Sequence, residues 1–297
     1  MCVAVTLLAL LGLVLSQVYQ KLLRKKMPAL LNRDWKKQHV YMVQYPRCLT
    51  LPNLSPWSLK LEPWLRIADI PYTNIDSEFK KFSSKGQVPF VELNGRRIDY
   101  SNFIIEALKH EFGKTDLEPT DPKEQSLARA FSALAEEHLT WSLFALRSNT
   151  KNGLAFDASD DGLGRHYGTG LKRQIFNFVT GRVNKRLVTA RANAQGMGRH
   201  SPDELHAIAK EDLKAISAFL GDKPYFGGDR PTTLDATMFG HLASLIYIPT
   251  PEGILKNCIT VTYPNLGQFV DRIKEKYWPD WEETCRTMDM NAHHKKE

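Results

Sequence analysis

Cysteine is scarce in this chain and has no organised spacing. The four cysteines, Cys2, Cys48, Cys258 and Cys285, are scattered over 297 residues without a CxxC pair, so neither a disulfide framework nor a zinc site is suggested. The nine histidines do not supply a metal site either. His293-His294 lies in the C-terminal tail, and the others lack the Cys or His neighbour that ligand geometry demands. No metal is expected. A nucleic-acid motif is also missing. The formal net charge is +7, but acidic residues are interspersed with basic ones almost everywhere past residue 30. Two local exceptions, Lys21 to Lys26 and Arg182 to Arg191, fall in no recognised nucleic-acid module. Most surface charge runs are solvated faces, so no nucleic-acid partner is expected.

Long hydrophobic runs are lacking too, with one exception. Residues 2–19 carry no charge, at the short end of the ~17 to 25 residues that span a bilayer as a helix. A cleaved secretory signal places its positive charge before the apolar run, whereas here Lys21, Arg24, Lys25 and Lys26 come after it. The positive-inside rule then keeps that flank in the cytosol. The expectation is an N-terminal membrane-anchor helix with a cytosolic body, on the endoplasmic reticulum or the mitochondrial outer membrane. A cleaved signal peptide is the alternative.

The remainder of the chain has a globular composition: 42% of residues are hydrophobic, enough for a sizeable core. The expected division is an apolar anchor and basic flank at 1–26, an α/β domain at 38–112, an all-helical domain at 113–286 and a polar tail at 287–297. His39 to Gln44 is a β-branched and aromatic run ended by Tyr45-Pro46-Arg47, which predicts a strand feeding a loop. Ser55-Pro56 places an N-cap residue before a proline at the first helical position. Pro63 lies inside the ensuing helix and predicts a kink or broken turn. A second strand comes after Ile70-Pro71. Gly86 to Leu93 then reaches Asn94-Gly95, a strong type I′ hairpin signal, and returns through Arg96 to Asp99. Ser101 is placed to cap a helix through Leu108.

This order resembles the thioredoxin-like N-terminal domain of glutathione transferases. The resemblance implies that Pro89 is cis and presents the Val88 backbone to a peptide-like ligand. It implies glutathione binding by Gln87, Val88, Pro89, Tyr100 and Ser101, with the Ser101 hydroxyl and helix N-terminus facing the γ-glutamyl carboxylate. Tyr100 departs from the acidic or glutamine residue usual there. The position for a nucleophile or thiol-activating hydroxyl, at the start of the first helix, holds no cysteine. Ser55 and Tyr45 are left as catalytic candidates, each with a structural alternative: capping for Ser55, packing for Tyr45. Glutathione is therefore a candidate substrate or ligand, and no other cofactor is implied.

From Asp121 onward apolar residues recur at helical spacing in five or more segments. Ser201-Pro202-Asp203-Glu204 reads as a capping box, and Thr232-Thr233-Leu234-Asp235 as another, with Asp235 a folding element. The Gly- and Asp-rich stretch 149–169 predicts a mobile loop beside the cleft. Blocks such as Gln44 to Arg47, Ser55 to Glu62, Trp64 to Tyr72, Gly196 to Ser201 and Pro231 to Thr237 resemble a narrower family, the failed axon connections proteins. Nematode cadmium-responsive proteins and metaxins are that family's relatives. The resemblance implies the glutathione-transferase fold, frequently a membrane anchor, and a binding or adaptor role in axon development or stress response. Protein partners or a homodimer fit that role. The alternative is an active transferase conjugating glutathione to hydrophobic electrophiles.

Overall fold

The computed structural model describes residues 30–31, 34–149, 155–167 and 170–296. The apolar segment 2–19 lies outside them. Among the described residues no helix is long and apolar enough to cross a membrane.

Val40–Gln44 forms β1, buried at every residue, as expected of a strand covered on both faces. Helix α1 (Pro56–Ile67) crosses from it to β2 (Tyr72–Asp76), which pairs parallel with β1. Then β3 (Phe90–Leu93) pairs antiparallel with β1, and β4 (Arg96–Asp99) with β3. The sheet order is β2-β1-β3-β4. Asn94 and Gly95 join the hairpin with φ of 49° and 74°, both positive as a type I′ turn requires. Helix α2 (Ser101–Phe112) ends on Gly113 in the left-handed region. One face of the sheet and the inner faces of α1 and α2 share a core that includes Val40, Met42, Trp64, Val91 and Ile105.

The second unit is helical: α3 (Pro122–Ala133), a π turn (Leu134–Leu139), α4 (Thr140–Asn149), α5 (Gly170–Gln195), α6 (Pro202–Leu220), α7 (Thr233–Tyr247), the short α8 (Ile254–Asn257), α9 (Pro264–Tyr277) and α10 (Trp281–Thr287). Helix α7 is buried continuously from Leu234 to Leu245, the signature of a central helix. Its entry is fixed by Asp235, whose fully buried carboxylate accepts from the backbone nitrogens of Thr232 (2.8 Å), Phe226 (2.6 Å) and Gly227 (3.2 Å) and from the Thr232 hydroxyl (2.9 Å). At α6 the Ser201 and Glu204 side chains exchange bonds with each other's backbone, at 3.3 and 2.8 Å.

The two units meet where α1 lies on α7. A Cβ built on Gly240 would stand 2.5 Å from the Lys60 nitrogen and 2.6 Å from the Pro56 oxygen, so the helix backbones touch there. Of the kink or broken turn expected at Pro63, the break does not occur: the helix is continuous to Ile67. Pro63 is buried in it, and packing on both sides holds a turn that an isolated helix would break. The segment from 155 to 167 also differs from the loop expected. It forms two 3₁₀ turns, buries Leu163, and bonds Asp161 O to Leu49 N (3.0 Å) and His166 Nε2 to Arg47 O (2.7 Å).

Replacing Gly240 by alanine is expected to lower the unfolding free energy by about 1–3 kcal/mol through overpacking. Alanine at the half-buried Ile246, six residues beyond the contact, gives a reference cavity mutant without backbone collision. Urea denaturation of both variants checks this.

Candidate functional site

The sheet register brings the candidate residues together. Phe90 pairs with Val43 on one side and Asp99 on the other. Tyr45, two residues past Val43, the Val88–Pro89 peptide and Tyr100-Ser101 therefore flank one end of the sheet. The loop from Tyr45 returns at that end to Ser55 and α1. The Val88–Pro89 bond is cis, and Val88 is buried. Gln87 is exposed, with its backbone tied to Ser83: Gln87 N donates to Ser83 Oγ (3.1 Å) and Gln87 O accepts from Ser83 N (2.9 Å).

Ser101 does not cap α2, which corrects the sequence reading. Tyr100 holds the cap position with φ 78° and ψ 119°, and no side chain bonds the first turn. Ser101 is the first helical residue. Its hydroxyl is 2% exposed and has no hydrogen-bond partner, an uncommon state for a buried polar group. Lys85 stands 5.2 Å above the rings of both Tyr100 and Phe103, and Phe103 is exposed. A helix N-terminus with an unpartnered buried hydroxyl and a rim cation has the chemistry to accept a carboxylate.

At the start of α1 the hydroxyl is engaged. Ser55 Oγ accepts from Ser58 N (3.4 Å), while Ser55 N donates to Asn53 Oδ1 (2.9 Å). Ser55 is the N-cap, the structural role expected as its alternative. The Tyr45 ring stacks on Phe79 at 5.8 Å between centroids. Burial raises its pKa, against the opposing charge of Arg191, so the phenol stays protonated and keeps a proton to donate.

Two buried polar clusters carry residues to which the sequence reading gave no role. In the first, Lys60 Nζ bonds Glu136 Oε1 (2.6 Å) and Asn102 Oδ1, and Asn102 Nδ2 bonds Glu136 Oε2 (2.8 Å). Glu136 comes from the π turn. Burial alone would raise the pKa of Glu136, but Lys60 outweighs it and keeps the carboxylate ionised. Nearby, His241 is fully enclosed, bonds Thr140 Oγ1 through Nδ1, and meets the edge of Trp57 at 5.9 Å. Burial drives its pKa down to about 4.

The second cluster centres on a fork between Arg47 and Glu62, at 2.7 and 2.6 Å and without exposure. Gln44 (2.9 Å), Asn74 (2.9 Å) and Tyr72 (3.2 Å) complete the Glu62 shell. Burial opposes the charge, yet Arg47 holds Glu62 at about 2. Beside it Asp280, also at about 2, grips Arg66 at 2.5 and 3.1 Å. The C-terminal stretch expected as a polar tail docks here. Met290 O accepts from Arg47 (2.7 Å) and Asn74 (2.8 Å), Asn291 pairs both ways with the Asn74 backbone (2.7 and 3.1 Å), and His293 stacks on Tyr72 at 4.3 Å. Arg47 stands in the sequence as a lone charge among uncharged neighbours, which is the one signal that could have marked it as paired; Glu62 lies between Lys60 and Arg66, which hides its partner.

Cys48, Cys258 and Cys285 are buried, free thiols; burial pushes Cys285 up to about 12. Such thiols are poor nucleophiles. Among the described residues no group of His, Cys, Asp and Glu could hold a metal.

A four-stranded thioredoxin-like sheet docked through α1 on a helical unit is the glutathione-transferase arrangement. The glutathione S-transferase N-terminal domain family matches residues 56–152, and the C-terminal domain family residues 209–273. Among solved structures, the beta-etherase LigF of Sphingobium sp. strain SYK-6 superposes with a TM-score of 0.56 at 17% identity, over 84% of this chain and 99% of that one. The isoprene-epoxide–glutathione S-transferase of Rhodococcus sp. (strain AD45) is 30% identical over 76% of this chain and 94% of its own length. The Drosophila melanogaster protein failed axon connections is 36% identical over 88% of this chain, which spans 63% of that protein's length. Zebrafish (Danio rerio) metaxin-3 is 28% identical over 77% of this chain and 73% of its own. The chain belongs to the failed axon connections family of glutathione-transferase-like proteins, with the metaxins as relatives.

The buried titratable groups set a pH profile. His241 and His293, both lowered to about 4 chiefly by burial, stabilise the fold fully above their unfolded pKa near 6.5; that contribution declines as pH falls from 6.5 to 4. Glu62 and Asp280 are depressed, so their contribution is present above pH ~4.5 and is lost as pH falls toward 2. Urea midpoints are expected to be flat above pH ~6.5, to fall from there to pH ~4 as the histidines protonate in the unfolded chain, and to keep falling toward pH ~2 as the carboxylates do. His241→Asn should remove about half of the decline between pH 6.5 and 4, with His293 supplying the rest, and leave the decline below it unchanged.

Proposed function

We propose that this protein is a membrane-anchored, glutathione-transferase-like binding protein. Its glutathione-type cleft serves recognition, in an adaptor role in axon development or stress response. The observation that carries this reading is the contrast between two hydroxyls. Ser101 Oγ is buried and unpartnered at the α2 N-terminus, where a γ-glutamyl carboxylate would meet it, while Ser55 Oγ is already engaged in capping α1. The Ser101 hydroxyl has hydrogen-bonding capacity left unused, while the Ser55 hydroxyl is already engaged. In this reading Gln87, Val88 and Pro89 hold the cysteinyl backbone of the ligand, and Tyr100 closes the γ-glutamyl end.

The adaptor role and the anchor draw on the relatives. The Drosophila relative carries an axonal phenotype in its name, and an Arabidopsis thaliana relative is named as a protein of the mitochondrial outer membrane import complex. Residues 2–19 with the basic flank after them supply the anchor, and the outer mitochondrial membrane or the endoplasmic reticulum is its destination. The second reading, a conjugating enzyme, is favoured by the transferase of Rhodococcus; in this chain Tyr45 would then donate to the thiolate.

Glutathione titration followed by thermal unfolding tests the binding. A rising melting temperature is expected, since a ligand that binds only the native state stabilises it by mass action. Ser101→Ala should weaken glutathione binding by roughly 10- to 150-fold, the worth of one hydrogen bond to a charged group. Absence of any shift at millimolar glutathione would sink the cleft reading. Thiol conjugation of a hydrophobic epoxide or aryl halide, abolished by Tyr45→Phe, would instead establish the enzyme.

A further inference from the structure

We infer that the outer face of the C-terminal half of α5 is a docking surface for the anionic headgroups of a lipid bilayer. The charge of this protein is not evenly spread. Between Asp161 and Asp203 there is no carboxylate, while eight arginines and lysines occur, enough to account for the whole net charge of +7. Helix α5, Gly170–Gln195, lies entirely inside this acid-free stretch. In its second half Lys185, Arg186, Thr189, Ala190 and Asn193 line an open depression of about 540 Å³. Their spacing of one, three and four residues places them on one helical face. Arg186, Ala190 and Asn193 are exposed.

The choice of a bilayer over other polyanions rests on the apolar residues. Leu171, on the same face about 20 Å toward the start of the helix, is 71% exposed, and Leu187, at the edge of that face, is 51% exposed. A surface that combines cations with solvent-facing leucines suits the headgroup boundary, where apolar side chains enter the acyl layer and cations meet phosphates. A nucleic acid offers such leucines nothing. The chain preceding the described residues has matching chemistry: an apolar segment at 2–19 and a basic flank at 21–26. From Lys26 to the start of β1 at Val40 the chain reaches at most about 50 Å. An inserted segment would hold the body within that distance of the membrane face and raise the effective concentration of headgroups around α5. The surface itself does not depend on the tether.

The test uses the full chain with Cys2→Ser and Ala194→Cys, the new cysteine on an exposed position of α5 carrying an environment-sensitive fluorophore. The protein is reconstituted in vesicles of phosphatidylcholine alone or with phosphatidylserine, each containing a nitroxide-labelled lipid. Quenching of the fluorophore is expected in the phosphatidylserine vesicles, reversed by high salt. Adding Lys185→Gln and Arg186→Gln should lower the docked-to-undocked ratio roughly 30-fold, at about fivefold per charge. The variant's retention on the vesicles and its thermal melt should not change. Retention reports the apolar segment and the glutathione shift reports the cleft, so failure of either reading is separable from failure of this one. No quenching in either vesicle, or quenching indifferent to phosphatidylserine and salt, overturns the proposal. So does tighter, Lys185- and Arg186-dependent binding of an RNA or DNA oligonucleotide than of phosphatidylserine vesicles.

Discussion

The contact of α1 with α7 at Gly240 is the constraint on which the architecture turns. Helix backbones approach this closely only where a side chain is missing, and Gly240 supplies the gap against Pro56, Leu59 and Lys60. These residues are the first turns of the helix that begins at Ser55. The site and the inter-unit interface are thus two faces of one helix. Asp235, five residues upstream of Gly240, fixes where α7 begins, so the cap on one helix sets the position of another helix's N-terminus. Because α7 is buried along its length, its placement has little room to adjust.

Around that contact the protein buries charge in pairs. Taking an isolated carboxylate out of water costs several kcal/mol, and such a group stays ionised only with a well-formed partner. Glu62 and Glu136 both meet this condition, one through Arg47 and the other through Lys60. Each pair also spans separate pieces of chain. Arg47 belongs to the loop after β1 and Glu62 to α1, while Lys60 of α1 reaches Glu136 of the helical unit and Asn102 of α2. Removing one member would leave an uncompensated buried charge. The pairs therefore specify which segments meet more than they add to stability.

Local features of the sequence translated into structure most directly. The Asn94-Gly95 turn and the Ser201 to Glu204 box are decided within four residues, and neighbouring residues are all that such motifs need. The fold class was legible for the same reason, since strand, helix and hairpin signals arrive in a diagnostic order. Pro63 and Ser101 were read less well because their outcome depends on tertiary context. Packing overrides the break at Pro63, and the backbone of Tyr100 turns early, so Ser101 enters the helix instead of capping it. The Arg47 and Lys60 clusters were invisible in spacing, since each partner lies 15 to 76 residues away. A lone charge in an apolar run announces that it has a partner but not which one.

The docked C-terminal stretch has a consequence for chain integrity. Strand β2 lies at the edge of the sheet, and an uncovered edge is a template for strand addition by other molecules. Asn291 satisfies the Asn74 backbone in both directions, and His293 and His294 approach the Tyr72 carbonyl at 3.3 and 2.8 Å. Premature termination just before Met290 would spare the hydrophobic clusters but strip one hydrogen bond each from Arg47 and Asn74 and bare that edge, turning a local loss into a route to self-association.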